Sequence, residues 1–455
     1  MATPANEPMS AEEGKAFDIV AHGHKDVVQA IAFNAYGDRC ATGSVDGKIR
    51  VFNRHRDGTW RVCDYWGAHG GEILELQWFP PTVYPNLLAS LGIEGRFKLW
   101  AEDPSAPPGQ RFSSRGANGK AAYESRSPRA PYRSFSLKHD EATRCTYFAL
   151  LASDGHLSVH ESEEPEAIAD YAKIDSFQAC AKPTRGEETC FKVRFDPNPE
   201  PCYAALRAGV PADALGLVVA GMTTVKVFRT RDTVTSSFGA ATRAREFYLA
   251  VEITAHKGLV RDVAWAPGNF RGYDMIATAC QDGFVRVFRI DTPFSRDDGK
   301  TWSVADVTGA SGGGRGIGGG NNKPDNSNSD EGGFFHTNTA AAPSNKSGGG
   351  GGARARALSH PHSSGIRAEI DKSGTHGERT SATGQPGQIT HAAKELSRLD
   401  LHRTPVWRVG FDDDGQILGS VGDDGRLICY RQTPDQAWAK SSELGIMKTR
   451  MGVAP

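Results

Sequence analysis

Apolar residues along this chain fall in short runs rich in Val, Ile, Phe and Trp, some alternating with polar residues and some continuous. The runs are punctuated by Asp46-Gly47, Asp154-Gly155, Asp282-Gly283 and Asp424-Gly425. Asp-Gly pairs tolerate the left-handed backbone of a tight turn. The pattern therefore predicts short antiparallel strands joined by hairpins.

The pattern is also periodic. His24 is followed nine residues later by Phe33, then by Asp46 and, six further on, by Phe52; His402 leads in the same steps to Phe411, Asp424 and Tyr430. His69 leads to Trp78, Glu94 and Trp100, and His256 to Trp265, Asp282 and Phe288. Two weaker copies lie between, with Asp154 six before His160 and with Met222 in the acid's place six before Phe228. Six copies of roughly 40 to 45 residues with four strands and a His/acid/aromatic signature describe a WD-repeat β-propeller. The expected fold is all-β and six-bladed. Only Trp100 keeps the usual Trp at the end of the third strand.

At 455 residues the chain has room for several ordinary domains or one large all-β domain, and the repeats favour the second. The net charge is -1, so no direct nucleic-acid contact is expected and membrane contact only through partners. Eight cysteines occur without a C-x-x-C pair, which argues against a structural zinc site. No metal or cofactor is expected. The N-terminal stretch has no apolar signal-peptide core and no 18 apolar residues run together, which fits a reducing cytosolic or nuclear setting.

The repeated polar residues need a role. A His at each blade entry can reach, through a strand hydroxyl such as Ser44, the acid of the next hairpin turn. The expected structural networks are His24/Ser44/Asp46, His69/Glu94 with Trp100, His256/Asp282 and His402/Asp424. A fully satisfied buried network costs little, and a broken one costs much. Recurrence in several blades favours scaffolding over a hydrolytic triad, and no catalytic residue is expected.

Between about Gly309 and Ile389 the composition turns to Gly, Ser and Asn, as in GASGGGRGIGGGNNKPDNSNSDEGG. Such a segment cannot bury a core. The expected organisation is a disordered N-terminus (1–16), one propeller (17–307 and 391–447), a disordered insertion (308–390) between blades five and six, and a tail (448–455). The stretches at 301–307 and 394–402 both read as strands flanking it. Polar stretches at 102–130 and 200–214 read as loops.

GHKDVVQAIAFNAYGDRCATGSVDGKIRVF, WGAHGGEILELQWFPPTVYPNLLASLGIEGRFKLWAEDP, ITAHKGLVRDVAWAPGNFRGYDMIATACQDGFVRVFRI and PVWRVGFDDDGQILGSVGDDGRLICYRQ together resemble the Seh-one family of nucleoporins, siblings of the coat protein Sec-thirteen. The resemblance implies a six-bladed propeller without chemistry, built into the Y-shaped coat of the nuclear pore and supporting nucleocytoplasmic and mRNA transport. It implies an α-solenoid nucleoporin as partner, inserting a short β-blade into an open seam, with other coat nucleoporins nearby. Some members also serve in the SEA/GATOR nutrient-signalling coat at the vacuolar or lysosomal membrane, whose subunits form a second set of expected partners. The implied location is the nuclear envelope. The alternatives are a Sec-thirteen-like vesicle-coat subunit and a WD-repeat substrate adaptor, and an adaptor reading phosphopeptides would show clustered arginines, which this sequence lacks.

The residues themselves point to the open seam. The strand before each His completes the preceding blade, as in CDYWGAH before His69 and AVEITAH before His256. By that rule FDIVAH should close the sixth blade, yet AWAKSSELGI (437–446) can fill the same slot. One closing strand is surplus, and exposed edges invite another chain. Val28, Ile31, Val406 and Val409 are the expected seam positions.

Overall fold

A computed structural model of the chain describes residues 20–80, 84, 86–112, 121–164, 168–237, 240–268, 271–293 and 389–445. Six four-stranded antiparallel sheets form the blades. Blade one is β1 (Val28–Phe33), β2 (Arg39–Ser44), β3 (Lys48–Arg54) and β4 (Trp60–Gly67). Blade two is β5 (Ile73–Trp78), β6 (Leu87–Gly92), β7 (Arg96–Ala101) and β8 (Tyr123–Arg126). Blade three is β9 (Tyr132–His139), β10 (Thr146–Ala152), β11 (His156–Ser162) and β12 (Ala172–Gln178). Blade four is β13 (Phe191–Phe195), β14 (Gly216–Gly221), β15 (Thr224–Ser237) and β16 (Ala240–Ile253), with helix α1 (Tyr203–Arg207) between its first two strands. Blade five is β17 (Val260–Trp265), β18 (Asp274–Cys280), β19 (Val285–Asp291) and β20 (Ala392–Leu399). Blade six is β21 (Val406–Phe411), β22 (Ile417–Gly422), β23 (Arg426–Gln432) and β24 (Trp438–Gly445).

The core lies between blades, because each sheet has apolar residues on both faces. Five buried clusters join blades one and two, two and three, three and four, four and five, and five and six. The first strands are also tied to one another by polar contacts. Glu75 on β5 accepts from Ser134 Oγ at 3.0 Å, Phe135 N at 2.9 Å and Lys192 Nζ at 2.5 Å. Arg194 bridges Glu75 and Asp262, at 3.2 and 3.6 Å. Asp262 in turn accepts from Val409 N at 3.3 Å. Burial opposes the Glu75 charge, but the Lys192 and Arg194 cations outweigh it and hold the carboxyl at about 2. A charge this well satisfied can be buried, and it fixes the position of one blade against the next.

Two expectations are corrected. The long insertion does not lie between blades five and six. β19 pairs directly with β20, with Asp291 opposite Ala392, so the chain departs and returns within blade five. Its two ends are held by a 2.9 Å hydrogen bond between Thr292 Oγ1 and His391 Nδ1. The expected strand at 301–307, and nearly all of the insertion, lie outside the described residues. The loops expected over 102–130 and 200–214 contain a strand, β8, which completes blade two, and the helix α1 respectively.

Candidate functional site

The His/acid sets assemble, with a different hydroxyl from the one expected. His69 Nδ1 lies 2.7 Å from Glu94 and Nε2 lies 2.7 Å from Ser90 Oγ. Trp100 Nε1 donates to the same Ser90 oxygen at 2.8 Å. The hydrogen bonds thus run from indole to hydroxyl to imidazole to carboxylate, and burial lowers the His69 pKa. In blade six His402 stands 3.1 Å from both Asp424 oxygens and 2.7 Å from Ser420 Oγ. In blade one His24 meets Thr42 Oγ1 at 2.9 Å and lies 3.4 Å from Asp46. Ser44 is not the relay. Its hydroxyl donates to the Asp26 carbonyl and accepts from Asp46 N. The correct hydroxyl lies four residues before the acid in every strong copy: Thr42, Ser90, Thr278 and Ser420. That offset was available in the sequence.

Blade five departs further. His256 Nε2 is 2.9 Å from Thr278 Oγ1, but His256 Nδ1 has no hydrogen-bond partner among the described residues. Asp282 is instead bound by both Arg286 terminal nitrogens, at 3.1 and 2.7 Å. Burial pushes His256 down to about 4, and at Asp282 the Arg286 hydrogen bonds overcome burial to hold the carboxyl at about 2. The weak copies lack the set. Met222 sits in a left-handed turn with φ 58°, and Cys180 packs where a Cβ on Gly221 would fall, as His69 and His402 pack against Gly92 and Gly422.

A Ser–His–carboxylate sequence of contacts resembles a hydrolytic triad, but Ser90 and Ser420 are buried. The Trp100 N–H already donates to the Ser90 oxygen. Each of these hydroxyls is thus engaged by partners within its own blade.

The surface with unmet packing lies between blades six and one. Among the described residues no buried cluster joins them, and β21 meets β1 through Arg408 Nη2 donating to the Gln29 carbonyl at 3.5 Å. The positions are those that form the core elsewhere. The aromatic nine residues after the His is buried as Trp78 (7% exposed) and Trp265 (4%), whereas Phe33 is 57% exposed. Ile49 and its cross-strand neighbour Trp66 are 0% and 5% exposed against blade two, whereas their blade-six equivalents Leu427 and Leu444 are 36% and 51% exposed. Blade one's free face adds Ile31, Val62 and Tyr65, and blade six's adds Val421.

Of the four expected seam residues, Ile31 is exposed and Val28 is half-buried. Val406 and Val409 do not line the seam. Both are buried against blade five, because β21 turns these side chains toward β17 and β18. The neighbouring positions, with Val421 and Leu427, carry the free face.

The family described as "WD domain, G-beta repeat" matches residues 17–53, 248–289 and 393–431. The Nucleoporin SEH1 of Chaetomium thermophilum is 49% identical, with 98% of each chain covered. The chain belongs to the SEH1 nucleoporin family. More distant SEH1 relatives are 24% identical in Saccharomyces cerevisiae, over 90% of this chain and 94% of that one, and 22% in Homo sapiens, over 60% and 68%. In this SEH1-family chain the seam is, among the described residues, the blade junction whose apolar repeat positions stay exposed.

Proposed function

We propose that this SEH1-family nucleoporin is a non-enzymatic scaffold subunit of the Y-shaped coat of the nuclear pore, and that an α-solenoid nucleoporin completes its seam with an inserted β-element. One observation carries the reading. Positions that form the core at five blade junctions are exposed at the sixth, on two faces that look toward each other around the ring. A monomer gains nothing by exposing Phe33 and Leu427, whereas a partner strand set with apolar residues on both faces would bury both walls at once. Permanent assemblies of this kind usually bury more than about 2,000 Å². The proposal includes residence at the nuclear envelope and a supporting role in nucleocytoplasmic and mRNA transport.

Purification of the endogenous chain, with identification of co-purifying proteins, followed by hydrogen exchange on the complex, tests this reading. The expected result is recovery of a solenoid nucleoporin and new protection over 28–67 and 406–445. Recovery of SEA/GATOR subunits as well would place the same seam in a second coat. Protection centred on blades three and four, or recovery of ubiquitin-ligase subunits alone, would overturn the proposal.

A further inference from the structure

The repeat places a cation four residues after the acid in three blades, as Arg50, Lys98 and Arg286. In blade five Arg286 takes Asp282 through both terminal nitrogens, and His256 Nδ1 is left without a hydrogen-bond partner. In blade two Lys98 donates to the Ala68 carbonyl at 2.8 Å and lies 4.0 Å from Glu124, its cross-strand neighbour. Blade one divides its charges the other way. Asp46 accepts from Lys25 N and Lys48 N, each at 3.0 Å, and stands 3.4 Å from His24 Nδ1. Among the described residues Arg50 makes no ion pair, and its buried Nε has no hydrogen-bond partner.

The uncommitted cation stands on the seam. Ile49 and Val51, on either side of it, are buried against blade two, so alternation along β3 turns Arg50 to the free face. It lies in the cross-strand row Ile31, Thr42, Arg50 and Tyr65, whose Ile31 and Tyr65 are exposed. Arg50 stacks over the Tyr65 ring at 5.2 Å. A guanidinium stacked by its face keeps its N–H edge available to a planar anion. The free face of blade six carries the pair Leu427 and Leu444, the pair Cys429 and Ser442 two residues on, and Val421; none of these is an acid.

We infer that the β-element docking in the seam carries an aspartate or glutamate whose carboxylate pairs with Arg50, and that this pair fixes the element's register against blade one. The inference rests on the reading of the seam as a docking site. An element that covers Ile31 and Tyr65 also takes Arg50 out of water, and a cation buried without an anion opposes docking. A carboxylate meeting the free N–H edge removes that penalty through the two-nitrogen contact that Arg286 makes with Asp282. A basic strand, or an acidic one shifted in register, leaves the charge unmet. Arg50 therefore selects among strands that the apolar walls alone would accept.

The test uses the complex purified from its own cells through the tagged full chain. In the Arg50→Lys variant, zero-length carbodiimide coupling should join the introduced ε-amine to an Asp or Glu of the co-purified solenoid protein, located by mass spectrometry. Arg50→Ala should speed release of that protein at least roughly 30-fold while the free chain keeps its Tm, and Arg50→Lys should restore part of the retention. Leu427→Asp leaves Arg50 in place and reads the seam itself. Suppose that variant releases the solenoid protein, but coupling reaches only this chain's own carboxylates, or Arg50→Ala releases at the unaltered rate. The carboxylate is then overturned and the docking reading stands. Retention undiminished in Leu427→Asp and Arg50→Ala alike would overturn both.

Discussion

The junction between blades one and two and the junction between blades six and one are built on equivalent positions of one repeat, yet they end in opposite states. At the first, Ile49, Val51 and Trp66 meet Trp78, Leu88 and Trp100 in a sealed cluster, and Phe112 stacks on Trp66 at 4.6 Å. At the second, Leu427 and Leu444 on blade six and Ile31, Phe33 and Tyr65 on blade one keep their apolar surface in solvent. A hydrophobic repeat position thus specifies a surface that wants a neighbour. Whether the neighbour is another blade or another protein depends on what the ring brings alongside.

The comparison can be broken at the sealed junctions first. Asp282→Ala would leave the buried Arg286 guanidinium without its bidentate partner, and should cost about 3–5 kcal/mol in chemical denaturation, as should Glu75→Ala, which strands Lys192 and Arg194. Trp78→Ala should cost a similar ~3–5 kcal/mol through the cavity it leaves. Phe33→Ala, at the same offset in the repeat, should cost less than about 1 kcal/mol. Equal losses at Phe33 and Trp78 would mean that the sixth junction is packed after all.

Acid titration sharpens the same contrast. The Glu75 carboxyl titrates at about 2 against an ordinary 4.5. Its stabilising effect is complete above the unfolded-state value and is lost as pH falls from there toward 2. His256 titrates at about 4 against 6.5, chiefly because burial disfavours the imidazolium. Below 6.5 the unfolded chain takes up a proton at this imidazole that the fold resists, so stability falls as pH drops from 6.5 to 4 and levels off below. Melting temperatures across this range should fall in two stages, and Glu75→Gln should shrink the lower one, leaving the part that Asp282, also held at about 2, contributes.

Smaller effects separate the relay hydroxyls from their neighbours. Ser420→Ala and Thr42→Ala should each cost about 1–3 kcal/mol by leaving an imidazole nitrogen unsatisfied. Ser44→Ala should stay near the lower bound of that range, and a larger loss there than at Thr42 would contradict the relay geometry. The smallest effect is expected at the insertion. Replacing 312–386 with a short Gly-Ser linker should shift stability by under about 1–2 kcal/mol, because loop-closure entropy grows slowly with length, and the Asp291–Ala392 pairing already joins the two ends. Loss of folding on that replacement would show that the segment packs on the propeller.

The repeat, its four-strand unit and the six blades were legible in the sequence, because turn chemistry, alternation and the His/acid/aromatic offsets are local properties. β24 occupies the slot that its sequence could fill, whereas residues 17–19 of the competing FDIVAH stretch lie outside the described residues. What the repeat pattern left undecided depends on side-chain geometry, both near and far along the chain. Thr42 and Ser44 point to the same side of β2, and the constant offset of four residues before the acid marks Thr42 as the relay. Arg286 displaced His256 from Asp282 because a guanidinium four residues away on the same hairpin binds a carboxylate with two nitrogens. The insertion belongs to blade five because β20 has its partner in β19, a pairing across about a hundred residues that no local pattern encodes. Val406 and Val409 look identical to seam residues in one dimension. The twist and bulge of β21 turn them into the blade-five core, and that same geometry leaves Leu427 and Val421 to face the open side of the ring.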